Sequence, residues 1–531
     1  VIFFSSLVFH HLELAPLRAT QRYRTPKPSF SSMSANKEKE SKHIAIVGAG
    51  LAGAMAAALL AKLGFHITVF EKRPDHNRAP RPSNTSSSAA SADTSSVHGN
   101  ATNSLKRSIN LALSYRGICA LKELDPSILD KVLSDAVPMP GRVIHSKDGS
   151  QLFQAYGQPG QQLYSVSRFN LNESLLEHLR RYPNVRVHFS SQVQHIEHAA
   201  GRVVVRHYGE DESVFEQKDY VFDLIVGADG AYSKVRESLL NSQRVNFSRQ
   251  YVRHGYKELN IPPVLDAQGR AQWALSPHEG LHIWPRGDFM LIALPNPDKS
   301  FTATLFAPFA GENGFDQHNA SGSGGDDAAL LRYFQTHFPD VLAHMPTLVR
   351  DFRSNPVGSL VTMRVDPWAA GRTLLIGDAA HAVVPFYGQG MNAAFQDALM
   401  LYQQIQLRLA AGGDASSVDL PQAARTFAAL RQPAAYALAD LCLEHYHDMA
   451  RNTQSLAYHL YKHAEQLVQR CAPWAFTPLY SLIAFSDTPY HLAQQQALRQ
   501  EAAVSLACLG LGAALLAGAA GGVAFFYRHR K

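Results

Sequence analysis

Short apolar runs and one alanine-rich stretch dominate the first interpretable part of the chain. The run HIAIV begins at His43 and is followed by the turn GAGLAG, the stretch AMAAALLAKLG and a second run, HITVFEKR. Apolar runs of this length between turn signals are typical of buried strands, whereas the alanine-rich stretch has the length of a helix. The order strand, turn, helix, strand predicts a βαβ unit of about thirty residues.

Further runs of strand length continue to about residue 380 and predict a second sheet. They read SINLALS, RVVVRHY, YVFDLIVGADG, LHIWPR, FMLIALP, FTATLF and TLLIGDAA. From Met391 to about Gln500, Ala, Leu, Gln and His recur at helical spacing, and strand-forming residues are few. The chain is therefore predicted to be mixed α/β, with a Rossmann-like domain, a second β-sheet domain and a C-terminal helical region.

Four segments depart from this pattern. Residues 1–42 are interpreted as a leader or a translated upstream stretch, and residues 75–106, rich in Ser, Asn, Ala and Pro, as a disordered insertion. Residues 311–327 are expected to form a surface loop. Residues 504–527 contain no charge and precede the basic end RHRK, which predicts a single C-terminal transmembrane helix; a buried helix is the alternative.

Composition narrows the class of protein. Of the 531 residues, 46% are hydrophobic and 18% charged, which excludes a disordered chain, a collagen and a disulfide scaffold. The net charge of +6 is spread along the chain without the basic stripe that nucleic-acid binding needs. The four cysteines lie far apart, so we expect a reducing compartment, no structural zinc and no other metal site.

The turn of the βαβ unit carries a glycine fingerprint, Gly48-x-Gly50-x-x-Gly53. The first glycine permits a tight turn, the second lets the backbone approach a pyrophosphate, and the third lets helix and strand pack closely. Glu71 ends the second strand, where it is placed to accept hydrogen bonds from a ribose diol. The fingerprint predicts a dinucleotide site but does not distinguish a flavin from a nicotinamide cofactor.

Two later motifs make that distinction by resemblance. DLIVGADGAYSKVR, which contains Asp229, and TLLIGDAAHAVVPFYGQGMNAAFQD, which contains Asp378, each run from an apolar strand into a Gly/Asp turn. With the glycine fingerprint they resemble the signature set of the FAD-dependent aromatic hydroxylases, the single-component flavoprotein monooxygenases. The resemblance implies tightly bound FAD, with Asp378 at the ribityl chain and the helix after Gly390 directed at the isoalloxazine ring.

A narrower resemblance covers most of the chain, from Lys42 to about Tyr490. RSINLALSYRG, YSVSRFNLNESLL, YVRHGYKELNIPP and the second Gly/Asp motif are similar to one branch of that family, the kynurenine 3-monooxygenases. The branch implies hydroxylation of L-kynurenine to 3-hydroxykynurenine with NADPH and O₂, through a flavin C4a-hydroperoxide, in tryptophan catabolism and NAD biosynthesis. It also implies attachment to the mitochondrial outer membrane, with the catalytic body in the cytosol.

Two other functions stay open at this point. One is hydroxylation of a different aromatic acid, and the other is a non-catalytic, membrane-attached scaffold with a FAD-binding fold. NADPH is expected to bind transiently, because the sequence holds no second glycine fingerprint with its own βαβ unit.

The resemblance also implies site residues. Arg142 and Tyr156 are expected to hold the substrate carboxylate with Tyr480, because an Arg fork and Tyr hydroxyls suit that group. Phe306 and Phe386 would pack on the aromatic ring. His445 is a further predicted contact, at a position where the family usually has Asn. The predicted cofactor contacts are Gly48, Gly50, Ala52, Gly53, Glu71, Arg73, Ala112, Arg168, Val193, Asp229, Ser233, Asp378, Gly390, Met391 and Asn392.

The domain boundaries follow from these motifs. They are the leader 1–42, a FAD-binding domain 43–240 that includes part of the substrate sheet, a substrate-binding sheet 241–360, a returning FAD-binding segment 361–410, helices 411–500 and an anchor 504–527.

Overall fold

The computed structural model describes residues 41–75, 110–209, 214–318, 326–412, 414–450 and 476–503. Residues 1–40 of the predicted leader, residues 76–106 of the predicted insertion and the predicted anchor 504–527 lie outside the described residues. The expected surface loop at 311–327 is described except for residues 319–325.

The described chain forms strands throughout its first three quarters. In chain order they are β1 (His43–Val47), β2 (His66–Phe70), β3 (Leu111–Leu113), β4 (Val137–Met139), β5 (Gly141–His145), β6 (Gln151–Ala155), β7 (Leu163–Val166), β8 (Val185–His188), β9 (Ser191–Glu197), β10 (Arg202–Tyr208), β11 (Phe215–Val221), β12 (Leu224–Gly227), β13 (Asn246–Ile261), β14 (Val264–Leu265), β15 (Ala271–Gln272), β16 (Leu281–Pro285), β17 (Met290–Pro295), β18 (Phe301–Pro308), β19 (Gly358–Asp366), β20 (Ala369–Ala370) and β21 (Thr373–Leu375).

Helices lie between the strands and take over after residue 378. They are α1 (Leu51–Lys62), α2 (Tyr115–Leu124), α3 (Pro126–Ser134), α4 (Arg168–Leu179), α5 (Lys234–Ser242), α6 (Asp327–His337), α7 (Pro339–Leu342), α8 (Leu348–Ser354), α9 (Asp378–His381), α10 (Gly390–Ala410), α11 (Leu420–Ala450), α12 (Leu479–Ala484) and α13 (490–503), with 3₁₀ turns at Phe315–Gln317 and Pro385–Tyr387.

The predicted βαβ unit is present and forms the middle of a six-stranded sheet. The strand order is β20-β21-β12-β1-β2-β8, and β1 pairs in parallel with both β2 and β12, as β12 does with β21. The carboxyl ends of β1, β12 and β21 therefore meet at one edge of the sheet. In parallel sheets of this kind ligands bind in the crevice outside that edge.

The second predicted sheet has seven strands in the order β19-β13-β18-β17-β16-β5-β6. Its two faces differ because side chains alternate along each strand. Leu291, Ala293, Ala303 and Leu305 pack on one face in a core shared with α6 and α8. The alternate residues of β17 and β18 face the other way, toward the edge of the six-stranded sheet.

A series of hydrogen-bonded polar side chains lies on the core face of this sheet. His145 Nδ1 lies 3.0 Å from Asp340 Oδ2 and its Nε2 lies 2.8 Å from His282 Nδ1. Burial, followed by the charge of His145, lowers the pKa of His282 to about 3, so this imidazole is neutral near pH 7. Its Nε2 lies 3.0 Å from the Pro277 carbonyl, which can only accept, so that nitrogen carries the proton. His145 Nε2 must then donate to His282 Nδ1.

One part of the predicted fold class, the single transmembrane helix, is wrong. No helix within the described ranges combines the length and the apolar character needed to cross a bilayer. The segment assigned to it, 504–527, lies outside those ranges. The described residues form a mixed α/β arrangement, and none of their helices supports the predicted membrane contact and mitochondrial location.

Candidate active site

A cavity of about 750 Å³ lies between the carboxyl edge of the six-stranded sheet and the open face of the seven-stranded sheet. The turns after β1, β12 and β21 line one end of it, and β16, β17 and β18 line the other. One cavity thus joins the predicted dinucleotide motifs to predicted substrate residues.

The glycine turn forms an open cradle at the first end. Gly48 has a φ of +99°, and a Cβ on Gly53 would lie 1.9 Å from the Gly48 carbonyl oxygen, so both positions require glycine. A Cβ on Gly50 would meet no atom within 4 Å, because this residue faces the cavity. Helix α1 starts there without a side-chain cap, which leaves its first N–H groups available to an anion.

Glu71 lies behind this cradle and is held by backbone and side-chain donors. Its carboxylate accepts from the Ala49 N–H at 2.8 Å, from the Arg73 N–H at 2.9 Å and from Arg73 Nε at 2.8 Å. Burial raises the pKa of Glu71, but the hydrogen bonds and charge of Arg73 lower it more, so the net shift is below the ordinary value. A ribose diol would therefore share this carboxylate with Arg73.

Two aspartates lie at the same edge of the sheet. Asp229 Oδ2 accepts from the backbone of Lys234 at 2.6 Å and of Val235 at 3.2 Å, while its Oδ1 is buried without a partner among the described residues. Burial raises the pKa of Asp229. Asp378 follows Gly377, whose φ is +56°, and its side chain is open to the cavity. Both carboxylates can accept hydrogen bonds from a ligand in the cavity.

Most of the predicted cofactor residues line this space, and three do not. Those that line it are Gly48, Gly50, Ala52, Glu71, Arg73, Ala112, Arg168, Val193, Asp229, Asp378, Gly390 and Met391. Gly53 packs against the turn, and Ser233 caps α5 by accepting from the Arg236 N–H at 2.9 Å. Asn392 is fully buried and bridges Ser114, Ala112 and Gly388. The structure therefore places these three where they shape the site.

A buried ion pair, which the sequence reasoning missed, supports the turn that carries Asp378. Asp397 accepts from the Gly377 N–H at 2.8 Å, pairs with His381 Nε2 at 2.6 Å and accepts from Arg431 Nε at 2.7 Å. Asp397 is fully buried and Arg431 is 1% exposed. An acid nineteen residues after a Gly/Asp turn was the only signal in the sequence, and its partner Arg431 lies on another helix.

The second end of the cavity holds a stack of aromatic rings beside a buried arginine. The rings of Tyr156 and Tyr480 lie 5.1 Å apart and nearly parallel. The Arg142 guanidinium lies 5.9 Å from the Tyr156 ring and 5.6 Å from the Tyr480 ring. Arg142 is 7% exposed, and its Nε has no hydrogen-bond partner within the described part of the chain.

Burial sets the protonation of this group. It raises the pKa of Tyr156 to about 12 and the pKa of Tyr480 well above the ordinary value. Both hydroxyls therefore keep their protons near pH 7 and can donate. Phe306 and Phe386 lie across the cavity with ring centroids 5.2 Å apart. The structure thus brings four of the six predicted substrate residues to the wall of one chamber, with Arg142 next to the two tyrosine rings but not itself in that wall.

Comparison with known proteins agrees with this arrangement. Residues 46–76 match the model of the NAD(P)-binding Rossmann-like domain, and residues 340–433 match that of the FAD binding domain. The kynurenine 3-monooxygenase of Christiangramia forsetii is 37% identical over 454 residues, covering 85% of this chain and 90% of its own length. That of Sus scrofa is 36% identical, covering 88% and 89%. The chain belongs to the kynurenine 3-monooxygenase family.

The predicted resemblance is therefore confirmed. Among solved structures, PqsL of Pseudomonas aeruginosa, in complex with 2-aminobenzoylacetate, aligns with a TM-score of 0.56 at 19% identity. The alignment covers 79% of this chain and 99% of PqsL. At this identity the likeness concerns the fold, and it supports the two-sheet arrangement.

His445, the residue that departs from the kynurenine 3-monooxygenase pattern, lies one layer behind the cavity. Its ring stacks on Tyr387 at 4.2 Å, and Tyr387 in turn stacks on Tyr480 at 5.8 Å. Tyr387 lines the cavity, whereas His445 is not among the lining residues. The structure therefore places Tyr387, which the prediction omitted, and Tyr480, whose ring lies 6.0 Å from that of His445, between His445 and the chamber. Tyr387 lies inside the second Gly/Asp motif, and this was the one feature of the sequence that could have indicated a place near the cavity.

The apolar wall opposite the flavin motifs was also missed. It consists of alternate strand residues and of apolar side chains around them, namely Leu281, Met290, Ile292, Leu294 and Thr304. The runs LHIWPR, FMLIALP and FTATLF predict the strands, but the sequence does not state which of the two faces lies on the cavity.

Proposed function

We propose that this protein is a FAD-dependent monooxygenase that hydroxylates L-kynurenine to 3-hydroxykynurenine, with NADPH as reductant and O₂ as oxidant. Membership of the kynurenine 3-monooxygenase family supports the reaction. The observation that carries the substrate assignment is the buried Arg142, whose Nε has no hydrogen-bond partner among the described residues. It lies next to Tyr156 and Tyr480, which line the end of the cavity opposite the dinucleotide motifs.

The residues at the first end fit FAD. The open face at Gly50 and the uncapped start of α1 suit a pyrophosphate, and the unpartnered Asp229 Oδ1 and the open Asp378 suit hydroxyl donors. When bound, FAD supplies the redox chemistry that links NADPH to O₂. The start of α10 at Gly390 places positive helix charge on the side of the cavity where negative charge would develop.

The residues at the second end fit an amino acid that carries an aromatic ring. Arg142 would hold the carboxylate, and Tyr156 and Tyr480 would donate hydrogen bonds because both stay protonated. Phe306 and Phe386 would contact the ring. Because the ring of kynurenine bears an amino group that activates the neighbouring carbon, the protein mainly positions the substrate and excludes water.

Oxidation of NADPH by the flavin-loaded protein, with and without L-kynurenine, tests the proposal. We expect kynurenine to accelerate oxidation and to gain one oxygen atom, detected by mass, with little H₂O₂. Arg142→Met should raise KM for kynurenine by about ten- to hundredfold, the range for losing a hydrogen bond to a charged group. Arg270→Met, a change at an arginine whose side chain is 71% exposed, is the matched control. Absence of stimulation in the wild-type protein refutes the proposal.

A further inference from the structure

Strand pairing places a second polar side chain beside Arg142. In the antiparallel pair β5 and β6, Arg142 lies directly opposite Gln154. Residues that face each other in this way project from the same side of the sheet, with Cβ atoms about 4.5–5.5 Å apart. Arg142 is directed to the tyrosine stack, so Gln154 projects from the side of the sheet on which that stack lies.

Both members of this pair have unused hydrogen-bonding capacity. Gln154 Oε1 is buried and has no partner within the described ranges, and the same holds for Arg142 Nε. The two side chains thus offer one free acceptor and one free donor side by side without bonding to each other. Buried polar atoms are rarely left unpaired, so such a pair points to a ligand with both functions.

We propose that Gln154 accepts a hydrogen bond from the α-ammonium group of the substrate while Arg142 binds its carboxylate. The inference rests on the proposed function, since it concerns the amino-acid end of kynurenine. The two groups of an α-amino acid are separated by a single carbon, which matches two side chains that are adjacent across one strand pair. Gln154 is thereby a specificity residue for amino acids as opposed to simple aromatic acids.

The neutral amide suits this role better than a carboxylate. A Glu directly opposite Arg142 would pair with the guanidinium and compete with the substrate carboxylate. The carbonyl oxygen of Gln accepts from an ammonium group without neutralising Arg142. In the described part of the chain Arg142 has no ion pair with a protein carboxylate, which keeps its charge available.

The test compares two substrates in two holoenzymes. L-Kynurenine and its desamino analogue, 4-(2-aminophenyl)-4-oxobutanoate, differ only in the α-ammonium group. For wild type and Gln154→Leu, KM and kcat are measured by NADPH oxidation, and binding by the change in flavin absorbance. Gln151→Leu, at an exposed position on the same strand, is the matched control.

We expect wild type to prefer L-kynurenine over the analogue by about ten- to hundredfold in KM, the range for a hydrogen bond to a charged group. Gln154→Leu should remove most of this preference by raising KM for L-kynurenine alone, with kcat little changed, and Gln151→Leu should keep it. If Q154L loses its flavin, Gln154→Met replaces it under the same criterion.

Two results overturn the inference and leave the proposed function intact. One is an unchanged preference in Q154L, and the other is an equal rise in KM for both compounds, which indicates a structural role. A wild-type protein that gives no response to L-kynurenine refutes the proposed function, and the role of Gln154 falls with it.

Discussion

The buried carboxylate of Asp397 gives the sharpest test of how the flavin side of the cavity is held. Asp397→Asn keeps the size of the side chain and an oxygen that can still accept from the Gly377 N–H. It removes the negative charge that faces Arg431 at 2.7 Å and His381 at 2.6 Å. Because Arg431 is 1% exposed, its guanidinium is left without compensation in the protein interior.

The magnitude follows from this burial. Breaking a buried ion pair by removing one partner typically costs about 3–5 kcal/mol, whereas losing an exposed pair costs about 0–1 kcal/mol. We therefore expect Asp397→Asn to lower the free energy of unfolding by about 3 kcal/mol or more. Adding Arg431→Met should recover part of the loss, because the double variant no longer buries an unpaired charge.

The shifted pKa of Asp397 determines how the loss of stability in Asp397→Asn depends on pH. Burial raises the pKa of Asp397, but the charges and hydrogen bonds of His381 and Arg431 lower it by a larger amount, so the net shift of the pKa is downward. A carboxylate with a lowered folded pKa contributes stability above its unfolded pKa of about 3.9 and loses it as the pH falls through the folded value. Asp397→Asn should therefore weaken the protein most near neutral pH and least in acid.

The assay is urea unfolding of the flavin-loaded proteins, followed by circular dichroism and by flavin fluorescence at pH 7 and pH 4. Asp440→Asn, which breaks an ion pair with Arg364 at half-exposed positions of the same helical region, is the control and should cost little. A loss below about 1 kcal/mol for D397N, as for an exposed pair, refutes the reasoning. So does a double variant in which the two losses simply add.

Three further predictions concern other parts of the molecule. Gly50→Val should abolish flavin absorbance but keep the circular dichroism spectrum, because its side chain fills only the cradle. Gly53→Ala should lose the fold, because its Cβ would lie 1.9 Å from the carbonyl oxygen of Gly48 in the turn. Two folded, yellow variants would contradict this. Burial raises the pKa of Asp340, but hydrogen bonds from an imidazole and an indole lower it below its ordinary value, so its stabilising effect is lost as the pH falls. The Tm of Asp340→Asn, measured from pH 7 to pH 3, should fall less steeply than that of wild type, and equal slopes would count against the assignment. His445→Asn should change KM for kynurenine by less than about threefold, because Tyr387 separates the imidazole from the cavity; a larger change would place His445 in contact with the substrate.

The flavin side of the fold was predictable because its signals are local. Strand, glycine turn and helix follow each other within one short segment, and the close approach of Gly53 to the Gly48 carbonyl oxygen lies inside it. Asp229 and Asp378 each lie within three residues of the end of a strand. Parallel pairing then brings all three turns to one edge of the sheet, which the order of the motifs already indicated.

The substrate side was predictable only in part, because its contacts join distant segments. Resemblance selected Arg142 among 50 basic residues, but its pairing with Gln154 depends on the register of β5 and β6. The position of Tyr387 in front of His445 depends on how α11, which carries His445, packs against the turn that carries Tyr387. The membrane helix predicted at 504–527 rests on the length of an uncharged segment and the basic residues after it, and no described helix is long and apolar enough to cross a bilayer.

The two ends of the cavity share one support, the chain from α12 to α13. At the substrate end Tyr480 of α12 stacks on Tyr156 at 5.1 Å. At the flavin end the Tyr490 hydroxyl, at the start of α13, donates to Gln389 Oε1 at 3.2 Å, one residue before α10 begins. Arg116 Nε donates to the Ile483 carbonyl at 3.3 Å, between these two points. The segment from α12 to α13 thus contacts both the substrate side of the cavity and the turn that precedes α10.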